Sequence, residues 1–185
     1  MRAALGMLAA LIVAVGSLAG CGDGEEREPP EVTEGRACLA IPFDSVEAVL
    51  GVRFDTNGSA HLEQTYTCVL TRADAPLPDL MLAMSSSTAD EVIFTVSVTP
   101  SMATPVPDLG RIAYQVTVPP GTASDSSPTG PGLEIGWLSA VPRLMLLRYT
   151  WPVGAADADV AALAPKLLEL ARGIEQAVLT GPTLG

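Results

Sequence analysis

The chain has 185 residues and a formal charge of −11, and 48% of its residues are apolar. Twenty-one acids against ten bases argue against nucleic acid as a partner and against direct attraction to anionic lipid headgroups. Beyond its N-terminal segments about 150 residues remain, enough for one domain that buries roughly two-thirds of its unfolded surface.

The first predicted element is an apolar run from Ala3 to Leu18 that leads into Leu18-Ala19-Gly20-Cys21. The run is shorter than the roughly 20 residues a bilayer-crossing helix needs. A small-residue cleavage site after an apolar stretch marks a signal peptide. A cysteine placed directly behind those small residues is the pattern read by the bacterial lipoprotein machinery. Residues 1–20 are therefore expected to be a lipoprotein signal peptide, with Cys21 the lipidated N-terminus of the mature chain. Several acyl chains on one cysteine, at about 0.8 kcal/mol per buried methylene, hold a soluble domain firmly to the outer face of a membrane. Cleavage removes Arg2 and no acid, so the mature chain carries −12.

Residues 21–36 continue as GDGEEREPPEVTEGR behind Cys21, acidic and without apolar periodicity. Such composition cannot bury enough surface to fold, and Pro29-Pro30 stiffens it locally. It reads as a disordered tether ahead of a single domain over residues 37–181.

With Cys21 assigned to the lipid, Cys38 and Cys68 are left as an even pair in an oxidising compartment, where a disulfide persists. The alternatives are a metal site or a reactive thiol. A two-cysteine zinc site needs histidine partners, and His61 is the only histidine in the chain.

The domain opens with Asp44-Ser45-Val46-Glu47, a capping box for a short helix that ends at Gly51 and turns Phe43, Val46, Val49 and Leu50 inward. Asn57-Gly58 reads first as a hairpin turn and second as a glycosylation sequon with Ser59; His61 falls among these turn residues. Period-2 segments follow. Tyr66, Cys68 and Leu70 form one inward set, and Leu80, Leu82 and Met84 a second. Val92, Phe94, Val96 and Val98 form a third, and Ile112, Tyr114, Val116 and Val118 a fourth. Two more strands are expected over 133–139 and 143–151, the latter apolar on both faces and so central in a sheet or covered by a helix. The longest loop, 119–132, reads as a mobile connection rather than a functional one.

From Val160 to Val178 the apolar period changes to 3.6, through Leu163, Leu167, Leu170, Ala171 and Ile174. Asp157 or Asp159 caps this helix, Gly181-Pro182 ends it, and Pro165 is expected to kink it or delay its start. The predicted fold class is α+β, an antiparallel β-sheet flanked by a short N-terminal helix and a long C-terminal helix, with the helices on one sheet face.

No residue pattern carries catalysis. A Ser-His-Asp site would have to use His61, no G-x-S-x-G elbow occurs, and the carboxylates gather in the tether and helix caps. Gly130-Pro131-Gly132 lacks the spacing and lysine of a phosphate loop. Trp137 and Trp151 could line a cleft, but core packing is the better reading. No catalytic residue, cofactor or metal is expected.

Cys21, Cys38, the helix ending Val49-Leu50-Gly51, and Tyr66-Thr67-Cys68-Val69-Leu70 together resemble a family of small actinobacterial lipoproteins of unknown function. An aromatic residue is common in that family shortly after the second domain cysteine, where this chain has Leu70. The resemblance implies a fold similar to the Mog1/PsbP scaffold, used mostly for binding, and implies no active site. The functional expectation is a membrane-anchored binding or accessory module facing an envelope protein. The alternative is a carrier or sensor of an apolar envelope ligand, a lipid or glycolipid.

Overall fold

The computed structural model describes residues 36–41, 43–121 and 129–180. Residues 1–35, with the expected signal peptide, Cys21 and most of the expected tether, lie outside the described residues, as do half of the 119–132 loop and Gly181-Pro182. Two helices, α1 (Arg36–Leu39) and α2 (Phe43–Leu50), precede strands β1 (Thr56–Leu62), β2 (Thr65–Thr71) and β3 (Asp79–Ser86). A helical segment over 91–98 follows, labelled α3 as a whole, in which an α-helical turn (Glu91–Ile93) runs into a π-helical turn (Phe94–Val98). Strands β4 (Thr104–Val106), β5 (Ile112–Val118), β6 (Gly132–Leu138) and β7 (Arg143–Thr150) lead to the long helix α4 (Asp157–Thr180).

The seven strands form one antiparallel sheet in the order β1-β2-β3-β7-β6-β5-β4. The α+β class is thereby established. β7 is the middle strand, as its two apolar faces required: Met145, Leu147 and Tyr149 are buried on the front, with Leu144 and Leu146 half-buried behind. Register aligns Cys68, Leu82, Leu147 and Ile135 in one row, and Leu70, Leu80, Tyr149 and Leu133 in the next. These rows pack under α1, α2 and α4, which adds Val160, Leu167, Leu170, Ala171 and Ile174. No described helix is long and apolar enough to cross a membrane.

The period-2 reading holds for β2 and β3, whose inward sets include fully buried Cys68, Leu70, Leu80 and Leu82. It fails over 92–98. Asp90 accepts a hydrogen bond from the Ile93 N–H at 2.8 Å, the side-chain cap that starts a helix. Thr95 and Thr99 hydroxyls then bond the carbonyls of Glu91 and Phe94 within the coil. The strand preference of alternating valines depends on the packing that awaits them and is not intrinsic to the backbone. Here the local cap wins, and of the four residues only Phe94 is buried.

Asn57-Gly58 is likewise not a turn. It lies inside β1, paired with Leu70 and Val69, and the hairpin turns instead at Glu63-Gln64, where Glu63 takes φ +54°. His61 is thus a strand residue, its ring stacked on Tyr66 at 4.2 Å. Asp44 sits in the first turn of α2 rather than ahead of it, because the helix begins at Phe43. Val46 and Leu50 are buried, and Gly51 ends the helix at φ +71°. Arg36, placed at the end of the tether by composition, belongs to α1.

Helix α4 starts at Asp157 and runs through Pro165. Asp159 reaches back to the Ala156 N–H at 3.3 Å, and Val160 is buried against the sheet. Tertiary contact on the first turns, together with half-buried Leu163 and Ala164, holds them despite the missing Pro165 donor.

The Cys38–Cys68 disulfide is present and ties α1 to β2 across a sequence separation of 30 residues. Closing a loop of this length stabilises a fold by about 3–4 kcal/mol in the chain-entropy treatment. Reduction should lower the melting temperature by about 10 °C, at 2–4 °C per kcal/mol for a domain this size. A melting curve unchanged under reductant would contradict this.

Candidate functional site: the back face of the sheet

The sheet has a second, thinly covered face. Register places Ile112, Tyr114 and Val116 of β5, Glu134, Gly136 and Leu138 of β6, and Leu144, Leu146 and Arg148 of β7 on the side opposite α4. The expected inward set of β5 therefore faces away from the main core; the two expected helices, α2 and α4, share the front face, and the unexpected helical segment over 91–98 takes the back. Helical segment α3 crosses this back face. Its Phe94 is buried with Tyr114 and Leu138, and Ile112, Val116 and Leu144 pack around them as a small second core.

Across that core the Tyr114 ring sits 5.7 Å from Phe94. Its hydroxyl donates to Glu134 Oε1 at 2.9 Å. Burial, followed by the Glu134 charge and hydrogen bond, pushes the Tyr114 phenol above its ordinary pKa. Gly136 lies under the ring, and a Cβ there would stand 2.5 Å from two ring carbons, so only glycine fits. One row further on, Arg148 lies opposite both Glu134 and Met81. Its Nε is buried and makes no hydrogen bond among the described residues. Asp79, paired with Thr150 on the same face, is raised above the usual carboxylate range by burial, with the Thr150 hydrogen bond and the Arg148 charge opposing. The neighbouring Tyr149 phenol is pushed up to about 12 by burial and by the Asp79 charge.

Beyond the second core α3 turns apolar side chains outward. Val92 is 70% exposed and Val96 78%, one helical turn apart, and Ile93 and Met102 are also exposed. Side chains this apolar are commonly buried, and a contiguous exposed patch of them marks a contact surface. The back face thus combines a half-buried polar centre with an apolar rim. Such a surface offers directional hydrogen bonding and area to desolvate, the two ingredients of an interface.

The residues singled out from sequence are not gathered here. Cys21 lies outside the described residues. Cys38 and Cys68 are joined to each other, and His61 is on the edge strand β1. Trp137 is fully buried in β6, and Trp151 packs edge-on against Tyr149 at 4.5 Å, so both serve the core. Among the described residues no group of three or more His, Cys, Asp or Glu side chains is placed to hold a metal ion.

Glu175 is the residue that sequence reasoning missed. It lies on the buried stripe of α4, 4% exposed, and accepts from Trp137 Nε1, Ser139 Oγ and the Ala140 N–H at 2.9, 2.9 and 3.0 Å. Three donors satisfy the carboxyl group and pin α4 to the β6–β7 connection. The one available signal was an acid following directly on Ile174 in the apolar stripe.

Two outcomes follow from these contacts. Glu175→Ala leaves two buried donors and one part-buried donor without an acceptor, so urea unfolding followed by Trp137 emission should show a loss of about 3 kcal/mol. Glu175→Gln should lose less; equal stability of Glu175→Ala and wild type would deny the network its role. For Asp79 the sign is fixed by its raised pKa: the folded state holds the proton more tightly than the unfolded chain. That contribution is full in acid and is lost as pH rises from the ordinary carboxylate range through the folded-state pKa. The melting temperature of Asp79→Asn minus that of wild type should therefore grow from pH 3 to pH 7. A difference that shrinks over this range would reverse the assignment.

Compared with known proteins, the chain matches no family model and no curated protein.

Proposed function

We propose that the chain is an exported lipoprotein of the cell envelope, held by lipid on Cys21 to the outer face of the membrane, whose domain works as a binding or accessory module. The observation that carries the reading is the apolar rim on α3, where Val92 and Val96 face solvent while Phe94 anchors the segment from beneath. A segment fixed so firmly and yet so apolar outward fits a partner that covers it. The leading lipobox pattern and the disulfide in the domain are consistent with work outside the cytoplasm. Membership of the small actinobacterial lipoprotein family is part of this proposal and rests on the cysteine placement. No catalysis and no cofactor enter it.

A carrier of an apolar envelope ligand, a lipid or glycolipid, is the second reading. It draws on an open groove beside α4, where Val160, Ala161 and Ala164 face Gln115 and Thr117 of β5.

Cys21→Ser should move the protein from the membrane fraction to the medium or soluble envelope fraction and abolish incorporation of labelled palmitate. Retention of label in that variant would reject the anchor. A photo-reactive residue at position 96 should trap a reproducible envelope protein in intact cells. A near-stoichiometric lipid in native mass spectra would decide for the carrier instead.

A further inference from the structure

The two edges of the sheet differ in a way that selects a binding mode. β4 is three residues long and contains Pro105, two devices that blunt a sheet edge. β1 at the other edge has seven residues, all exposed, and its sequence TNGSAHL holds no lysine, proline or acid. A strand of this length and openness displays a row of free backbone donors and acceptors.

Their positions follow from the hairpin. A two-residue turn at Glu63-Gln64 makes Leu62 and Thr65 the closing pair that exchanges both bonds. The Ser86 N–H bond to the Gln64 carbonyl agrees, since it assigns the even residues of β2 to β3. Residues 56, 58, 60 and 62 therefore bond inward. Asn57, Ser59 and His61 point their N–H and C=O groups out, unpaired among the described residues, where an added strand could form about six hydrogen bonds.

Charge decides what fits. Asp55 and Glu63 flank β1, and a depression at its start is lined by Asp44, Glu47 and Asp55 with Arg53 as the one base. A second copy of the chain, paired antiparallel about Ser59, would set Asp55 against Glu63 at both ends and bring two strongly acidic chains together. An extended segment with basic residues at its ends meets the opposite charge at both.

We infer that β1 is a strand-addition site for an extended segment of a partner protein, uncharged along its middle and basic at its ends. The inference rests on the binding-module reading and names a surface distinct from the α3 rim. The added strand runs along β1, its backbone supplying the bonds to Asn57, Ser59 and His61. One basic side chain enters the depression beside Asp44 and Glu47, the Asp55 carboxylate there being paired with Arg53 at 3.4 Å. Main-chain bonding gives affinity, and the flanking carboxylates give selectivity.

The test uses the full-length chain in detergent micelles and a blocked peptide, Lys-Thr-Val-Thr-Val-Thr-Lys. Amide exchange at Asn57, Ser59 and His61 should slow at least about tenfold on saturation, as hydrogen-bonded strand amides do. The same peptide with alternate amides N-methylated should not bind, and a version with glutamate ends should bind about tenfold more weakly. Ser59→Pro removes an outward N–H and no bond to β2, and should abolish binding while leaving the melting temperature in place. Failure of the peptide to bind, binding without protection of those three amides, or equal binding of the N-methylated peptide would each overturn the inference. In cells, photo-reactive residues at positions 59 and 96 separate the two readings. Trapping an envelope protein at 96 alone sinks the β1 site and keeps the binding module, whereas trapping at neither sinks both. A crosslinked pair of copies through position 59 would put a second copy in place of the partner.

Discussion

The core shared by the front of β6 and β7 and the helical layer over them is the constraint on which the rest of the domain depends. β7 is hydrogen-bonded on both sides, to β3 and to β6, and its Met145, Leu147 and Tyr149 are buried under the helical layer. Leu167, Leu170, Ala171 and Ile174 supply the opposing surface. Burial of apolar side chains at this density is the dominant favourable term in folding. Because the chain reaches β7 late, β1, β2 and β3 on one side and β4, β5 and β6 on the other are ordered by strands that follow them. Glu175 then fixes how α4 lies along its length by a polar contact that admits one arrangement.

That hierarchy explains what could be read in the sequence. β2, β3 and α4 each place one face or stripe in the main core, so their periodicity is visible residue by residue, β6 is legible only as a range, and β7 shows its central place through apolar residues on both faces. Segment 91–98 has the composition of a strand but sits outside the sheet. Its one buried residue, Phe94, serves a second core whose partners lie in β5, β6 and β7. Local capping by Asp90 competed with valine preference there, and nothing in the segment itself announces which wins. Asn57-Gly58 failed for a related reason, since turn-forming residues adopt extended backbone when the register of a flanking strand demands it.

The candidate surface was less legible than the fold. The polar centre on the back face assembles Tyr114, Glu134, Arg148 and Asp79 from four strands, and of these only Tyr114 stood out in its own segment, as an inward apolar position. Only register brings them together, and register is a property of pairs of strands. The residues that stood out in sequence, His61, Trp137 and Trp151, are distinctive by scarcity, and scarcity carries no information about place. The disulfide is the exception, because two cysteines left in one domain define their own partner.

The bond between Cys38 and Cys68 also decides how the domain responds to being pulled. Tension applied ahead of Ala37 enters at α1 and passes through sulfur directly into β2, which lies one strand in from the sheet edge. Everything between the two cysteines, including α2, β1 and the hairpin turn, hangs on a closed covalent loop that carries no load. An edge segment held to the sheet on one side only is thereby removed from the line of force. An edge strand that would peel first in an uncrosslinked chain is left undisturbed, and the pull is borne by the paired interior strands.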